Sequence, residues 1–250
     1  MARIIGLGFQ GQVMRFITAF ALSFFQLGFS VDAFGVGVSR PILIEVYGDS
    51  TTLGAQTASG STVITMESEP KQLQGLLRER FGDAVTVVNK GVGGTQAYQL
   101  LSGTDGMNRP WPEQIANSDA DIVILNYALN DQLYNAKPAE GVFQGTPESY
   151  GEIMALLVQI ARDQRKVVVL QEPNPTCHQP RVGNLHRFVE ALRSTAKRVD
   201  VPLVAQYDFL QGIPNWKDLL SDCVHPGDQL YGIKAKQTFE VVAPIVDAIR

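Results

Sequence analysis

From Pro41 onward, short apolar runs rich in β-branched residues alternate with stretches whose apolar positions recur every three or four residues. Residues 42–47, 84–88, 121–125, 167–170 and 203–205 read as strands. The third is nearly continuous in apolar residues, as a strand covered on both faces would be. Leu73, Leu76, Leu77 and Phe81 fall on one helical face, in a helix opened by Ser68 and Pro70 and closed by Gly82. Thr146 caps and Pro147 opens a second helix, with Ile153, Leu156, Leu157 and Ile160 facing inward. Leu185, Phe188, Val189 and Leu192 mark a third, and a last one runs from about Gln229 onward, where Pro244 is expected to bend or break it. This alternation predicts an α/β domain over residues 41–250, with a parallel sheet between helix layers.

The first forty residues carry two competing patterns. Gly6, Gly8 and Gly11 match a dinucleotide fingerprint, with Asp32 at the distance of a ribose-binding acid. Alternatively, Arg15 precedes an apolar run over residues 16–29, and Ala33 supplies a small residue where a signal peptidase cuts. A dinucleotide domain needs further strand–helix units behind its fingerprint, and the next strand opens a different motif set. The expectation is therefore an export signal over residues 1–33, with Met14 as a possible start, and a periplasmic or secreted protein. Thr18, Ser23 and Gln26 interrupt the run too much for a comfortable membrane span, so no stable insertion is expected after cleavage. An uncleaved anchor is the alternative.

Composition removes several classes. Charged residues make up 18% and the formal charge is −4, which leaves no basic footprint for nucleic acid. Arg78 and Arg80, or Lys234 and Lys236, read as solvated helix faces. Three histidines and two cysteines, without a His-Glu-x-x-His run, argue against a metal enzyme, and no phosphate-binding loop is present.

Ligands of open parallel sheets bind beyond the carboxyl ends of the strands. Those ends carry Gly48-Asp49-Ser50-Thr51, then Asn89-Lys90-Gly91-Val92-Gly93-Gly94, then Asn126-Tyr127-Ala128-Leu129-Asn130-Asp131; Asp222-Cys223-Val224-His225 follows the fifth. A serine hydroxyl needs a neighbouring base, and His225 is the histidine with a carboxylate three residues ahead to orient it. Each residue also has a structural reading: Ser50 as a helix cap, Asn130 and the glycines as turn residues, His225 as a surface turn.

Together and in this order, the four segments resemble the signature blocks of the SGNH hydrolases, or GDSL esterases, from Ile42 to about Pro226. The resemblance implies a three-layer α/β/α sandwich of flavodoxin-like type with a central five-stranded parallel sheet. It implies a cofactor-free carboxylic ester hydrolase with Ser50 as nucleophile, Asp222 and His225 completing the triad, and Ser50, Gly94 and Asn130 as oxyanion donors. Ala128 stands where the family places glycine, so a reshaped pocket is expected, and backbone strain if φ there is positive. Asp49 and Asp131 are expected to brace loops, and His178 and His186 to be structural or on the surface.

The loops over residues 52–65 and 132–145 are polar, with Tyr134 and Phe143 as larger groups. They suit a small acyl group on a polar or carbohydrate alcohol. Leu53, Val63, Ile64, Trp111 and Trp216 are candidates to line an acyl channel instead, as a lysophospholipase- or thioesterase-like lipid acylhydrolase would need. Transfer to a glycan hydroxyl by the same triad, or a silent binding protein, are further alternatives. In this fold the loops carrying Cys177 and Cys223 emerge side by side, so an exported chain is expected to join them; two free thiols are expected otherwise.

Overall fold

The computed structural model describes residues 40–250; the expected export signal and the fingerprint glycines lie outside the described residues. The first strand, β1 (Ile42–Gly48), leads into a one-turn helix, α1 (Ser50–Leu53), and a hairpin of β2 (Ala55–Ala58) and β3 (Ser61–Ile64). Then come α2 (Glu69–Phe81), β4 (Val85–Gly91), α3 (Ala97–Ser102), α4 (Trp111–Ala116), β5 (Ile122–Asn126) and α5 (Leu129–Ala136). The chain closes with α6 (Pro147–Asp163), β6 (Val167–Gln171), α7 (Leu185–Arg198), β7 (Leu203–Val204), α8 (Tyr207–Gln211) and α9 (Asp228–Ile249).

The main sheet has the order β4-β1-β5-β6-β7, and every pairing is parallel. This is the doubly wound three-layer sandwich with five central strands that the resemblance implies. The period-two geometry of the strands sorts the core into two halves. Ile44, Val46, Ile122, Ile124 and Val169 face α2 and α9, meeting Leu73, Leu77, Ala235 and Val242. Tyr47, Val123, Leu125, Val168 and Leu170 face α3, α4, α6 and α7, meeting Leu100, Ile115, Leu157 and Phe188. Chain direction across the sheet reverses at β1, and the carboxyl ends of β1 and β5 are where such a sheet is expected to bind its ligand.

Three expectations are corrected. The stretch after α1 is not all loop: Ser59 (φ 51°) and Gly60 (φ 77°) make the two-residue turn of the β2–β3 hairpin. Helix α9 runs unbroken through Pro244, which is exposed, so the Glu240 carbonyl that loses its donor is on the water side. Lys234 is not on a solvated face. It is fully buried beside Leu230, Tyr231 and Thr238 and pairs with the buried Glu69 at 2.9 Å, whereas Arg78 and Arg80 are exposed as expected. Among the described residues, no helix is long and apolar enough to cross a membrane.

Candidate active site

Ser50 owes its position to close packing at the end of β1. A Cβ on Gly48 would lie 2.1 Å from Thr52 Oγ1 and 2.5 Å from the Asn126 carbonyl, so only glycine lets the strand pass under α1. Asp49 caps that turn: its Oδ1 accepts from both the N–H and the hydroxyl of Thr51 at 2.8 Å. Asp49 therefore braces the loop, and Ser50 becomes the first helical residue, with a backbone N–H that has no acceptor inside its own helix.

The segment before α9 brings the other two groups to it. His225 Nε2 lies 2.9 Å from Ser50 Oγ, and His225 Nδ1 lies 2.7 Å from Asp222 Oδ2. The carboxylate also shapes its own turn, since Oδ1 accepts the N–H groups of Val224 (3.0 Å) and His225 (2.7 Å). A further donor was not foreseen: Thr57 of β2 gives its hydroxyl hydrogen to Asp222 Oδ2 at 2.6 Å. Burial alone would raise the Asp222 pKa, but the donors from His225, Thr57 and Val224 outweigh it and hold the carboxyl at about 2.

Cys177 and Cys223 are joined by a disulfide with their Cα atoms 4.8 Å apart. The bridge ties the Asp222–His225 turn to the loop after β6. Thr176 Oγ1 and the Cys177 N–H both donate to the Cys223 carbonyl, at 2.6 and 3.0 Å, and Asn174 Nδ2 donates to that of Val224 at 2.9 Å. Closing a loop of 46 residues stabilises the fold by about 4 kcal/mol in the chain-entropy view.

Gly94 and Asn130 occupy the loops beyond β4 and β5. Gly94 has φ 77° and open space where a Cβ would be, so glycine serves the backbone conformation there, not a tight approach. Asn130 is buried at the start of α5, where its Nδ2 donates to the Thr95 carbonyl at 2.9 Å and its Oδ1 accepts from Arg181 Nη2 at 3.3 Å. Arg181 also donates to the Leu129 carbonyl. Burial lowers its proton affinity, and the nearby Asp49, Tyr134 and Asp222 oppose that.

Ala128 has φ 128° and ψ −32°, a region that side chains rarely adopt. Its methyl is fully buried in the core, so the departure from glycine burdens the backbone and does not narrow a pocket. Relieving such strain is worth up to about 3 kcal/mol. Losing a buried methyl and gaining unfolded-chain entropy together cost about 1.5–2 kcal/mol. Ala128→Gly is therefore expected to stabilise the protein by about 1 kcal/mol, read from urea unfolding midpoints. A clear loss of stability would mean that the methyl's packing outweighs the strain.

The remaining candidates have other places. Asp131 is buried and accepts the Ala97 N–H at 3.0 Å; burial pushes its carboxyl up to about 7 despite backbone donors that lower it. His178 and His186 are exposed. Trp111 is fully buried, donates to the Leu157 carbonyl at 3.0 Å and stands edge-on to Tyr47, so it lines no channel. Trp216 packs with Leu210, Leu220 and Leu230. Val63 and Ile64 are exposed on the hairpin, and Phe143 stacks on Tyr98.

Solved structures with this architecture include the α/β hydrolase LAE5 from the metagenome of Lake Arreo. It is 18% identical with a TM-score of 0.64, over 82% of this chain and 96% of that one. TesA is 21% identical with a TM-score of 0.61, over 81% and 98%. The acetylxylan esterase Axe2 from Geobacillus stearothermophilus is 18% identical with a TM-score of 0.64, over 82% and 95%. At these identities the likeness is one of fold. No curated protein sequence matches the chain. Residues 46–233, however, match the GDSL-like Lipase/Acylhydrolase family, a span that holds the Ser50, Gly94, Asn130 and Asp222–His225 segments in order. The chain belongs to this family and is a carboxylic ester hydrolase.

Proposed function

We propose that the chain cleaves esters of small acyl groups through an acyl-enzyme on Ser50. The observation that carries this reading is the unbroken hydrogen-bonded chain from Ser50 Oγ through His225 to Asp222. As Ser50 Oγ attacks the ester carbonyl, His225 Nε2 takes its proton, and Asp222 stabilises the imidazolium that forms. The carbonyl oxygen becomes an oxyanion, held by the N–H groups of Ser50 and Gly94 and by the Asn130 amide. Collapse expels the alcohol, which receives the proton from His225. Water then repeats the sequence on the acyl-enzyme and releases the acid.

Support for a small acyl group comes from what stands beside the nucleophile. A Cβ on Gly93 would lie 4.0 Å from Ser50 Cβ and 3.8 Å from Leu53 Cδ2, and His225 Nε2 lies 2.9 Å from the hydroxyl, so a glycine, one leucine and an imidazole border the nucleophile. Of the two tryptophans that were channel candidates, Trp111 is inside the core and Trp216 packs with Leu210, Leu220 and Leu230. A polar or carbohydrate alcohol suits such a surround. On p-nitrophenyl esters, kcat/KM is expected to be highest for acetyl and to fall at least about tenfold by octanoyl, because methylenes that find no pocket gain no transition-state binding. A rise with chain length would overturn the small-acyl reading and favour a lipid acylhydrolase. An acetylated polysaccharide panel in the same assay tests the alcohol side, and a glycan acceptor in the mixture reveals any acyl transfer. Export is part of the same proposal. It is supported by the apolar run over residues 16–29 ahead of Ala33, and by a disulfide of the kind that persists in oxidising compartments.

Asp222 gives this site a pH signature in stability. Its folded pKa of about 2 lies below the ordinary aspartate value of 3.8, so its contribution is present above pH 3.8 and is lost as pH falls toward 2. The gap in urea midpoint between the parent protein and Asp222→Asn is expected to be constant above about pH 5 and to close between pH 4 and 2. A gap that stayed the same down to pH 2 would show that the donors around Asp222 do not favour its charged form.

A further inference from the structure

We propose that Arg181 is a positioning residue for the oxyanion-stabilising amide: its guanidinium fixes which way the Asn130 side chain faces and polarises the N–H left over for substrate. The inference rests on the acyl-enzyme reading above and assigns a role to a residue outside the four family segments.

A carboxamide presents an oxygen on one side and an NH2 on the other, and the two are nearly the same shape. Asn130 sits between partners of opposite kind: the Thr95 carbonyl accepts from Nδ2 at 2.9 Å, and Arg181 Nη2 donates to Oδ1 at 3.3 Å. A flip would set oxygen against carbonyl and NH2 against guanidinium, so both contacts would turn repulsive. With the flip blocked, one Nδ2–H is spent on Thr95 and the second remains for the oxyanion. Arg181 also holds the Leu129 carbonyl, which fixes the backbone next to the amide.

Arg181 is half-buried, its Nε is fully buried without a hydrogen-bond partner, and among the described residues no carboxylate forms an ion pair with it. Other covered cations differ: Lys234 has Glu69 at 2.9 Å and Arg193 has Glu172 at 2.6 Å, while Lys166 gives its ammonium to the Ser118 carbonyl. A covered guanidinium with no carboxylate in contact costs stability, and the more distant Asp49 and Asp222 offset that only in part. At this place it has a use. A negative charge appears transiently on the substrate oxygen one amide away, and a cation on Oδ1 makes the opposite N–H a stronger donor.

The test measures kcat and KM on p-nitrophenyl acetate for Arg181→Gln, Asn130→Ala, the double variant and Ser50→Ala, each with its thermal midpoint. Arg181→Gln is expected to lower kcat about 10- to 100-fold, less than loss of a direct oxyanion donor, with KM within about threefold. In the Asn130→Ala background the same change should cost less than about threefold, because its target is gone. The thermal midpoint of Arg181→Gln should move little, since removing a covered charge offsets the donors lost by the Leu129 carbonyl and Asn130 Oδ1. Full multiplication of the two effects, a loss confined to KM, or a kcat loss that tracks a falling midpoint would each overturn the assignment. Near-normal turnover in folded Ser50→Ala would instead overturn the acyl-enzyme reading, and this inference with it. Loss in Ser50→Ala with full turnover in Arg181→Gln would overturn the inference alone.

Discussion

Ser50→Ala is expected to lower kcat by about 10³-fold or more while the protein stays folded. A hydroxyl is a poor nucleophile until a base takes its proton, and the base here is already in place, 2.9 Å away. Removing Oγ leaves no buried polar atom without a partner, because Ser50 is half-buried and water can reach His225 Nε2 in its place. The cost therefore falls on chemistry and not on stability. His225→Ala is expected to lose nearly as much, and the double variant little more, because the two act as one unit. Initial rates on p-nitrophenyl acetate, with circular dichroism of each variant, check this. A folded Ser50→Ala protein with near-normal turnover would place the nucleophile elsewhere.

The central strands β1, β5 and β6 are legible in the sequence because burial on both faces writes itself as apolar runs, whereas the edge strands β4 and β7 are read from their β-branched residues and turn boundaries. The four segments at the strand ends are legible for a related reason, since a backbone forced into close contact or positive φ tolerates few residues, as at Gly48 and Gly94. The β2–β3 hairpin escapes notice because its residues are mostly exposed and polar, so no apolar alternation marks it; Ser59-Gly60 was the available turn signal. Missing the hairpin also hides Thr57, whose role depends on a contact with Asp222 across 165 residues. Arg181 is hidden in the same way, in a single 3-10 turn (Arg181–Gly183) too short to show a periodicity. Lys234 carries a legible signal of burial: it lies four residues after Leu230 and three after Tyr231, on the buried stripe of α9. Trp111 shows the converse, since an aromatic residue near site segments in sequence can belong wholly to the core.

Asn130→Ala is expected to lower kcat by about 10²–10³-fold with little change in KM. The ester carbonyl of the bound substrate is a neutral, weak acceptor, so its bond to the amide contributes little to ground-state binding. As Ser50 attacks, the oxygen gains a full charge and the same bond strengthens, in a site where the amide is already oriented and pays no reorganisation. The loss should therefore appear where charge has developed, in kcat, and not in affinity. Stability will fall too, because the substitution leaves the buried Thr95 carbonyl without its side-chain donor and the Arg181 guanidinium with only the Leu129 carbonyl. Each lost partner costs about 1–3 kcal/mol, so the assay belongs well below the variant's melting temperature. Asn130→Asp sharpens the result. It keeps the shape but replaces every N–H with oxygen, so an anion stands against the Thr95 carbonyl and against the developing oxyanion. Its kcat should fall at least as far as that of Asn130→Ala, although its charge can pair with Arg181 and recover stability. Equal kcat in all three proteins, or an effect confined to KM, would show that Asn130 binds substrate without stabilising the oxyanion.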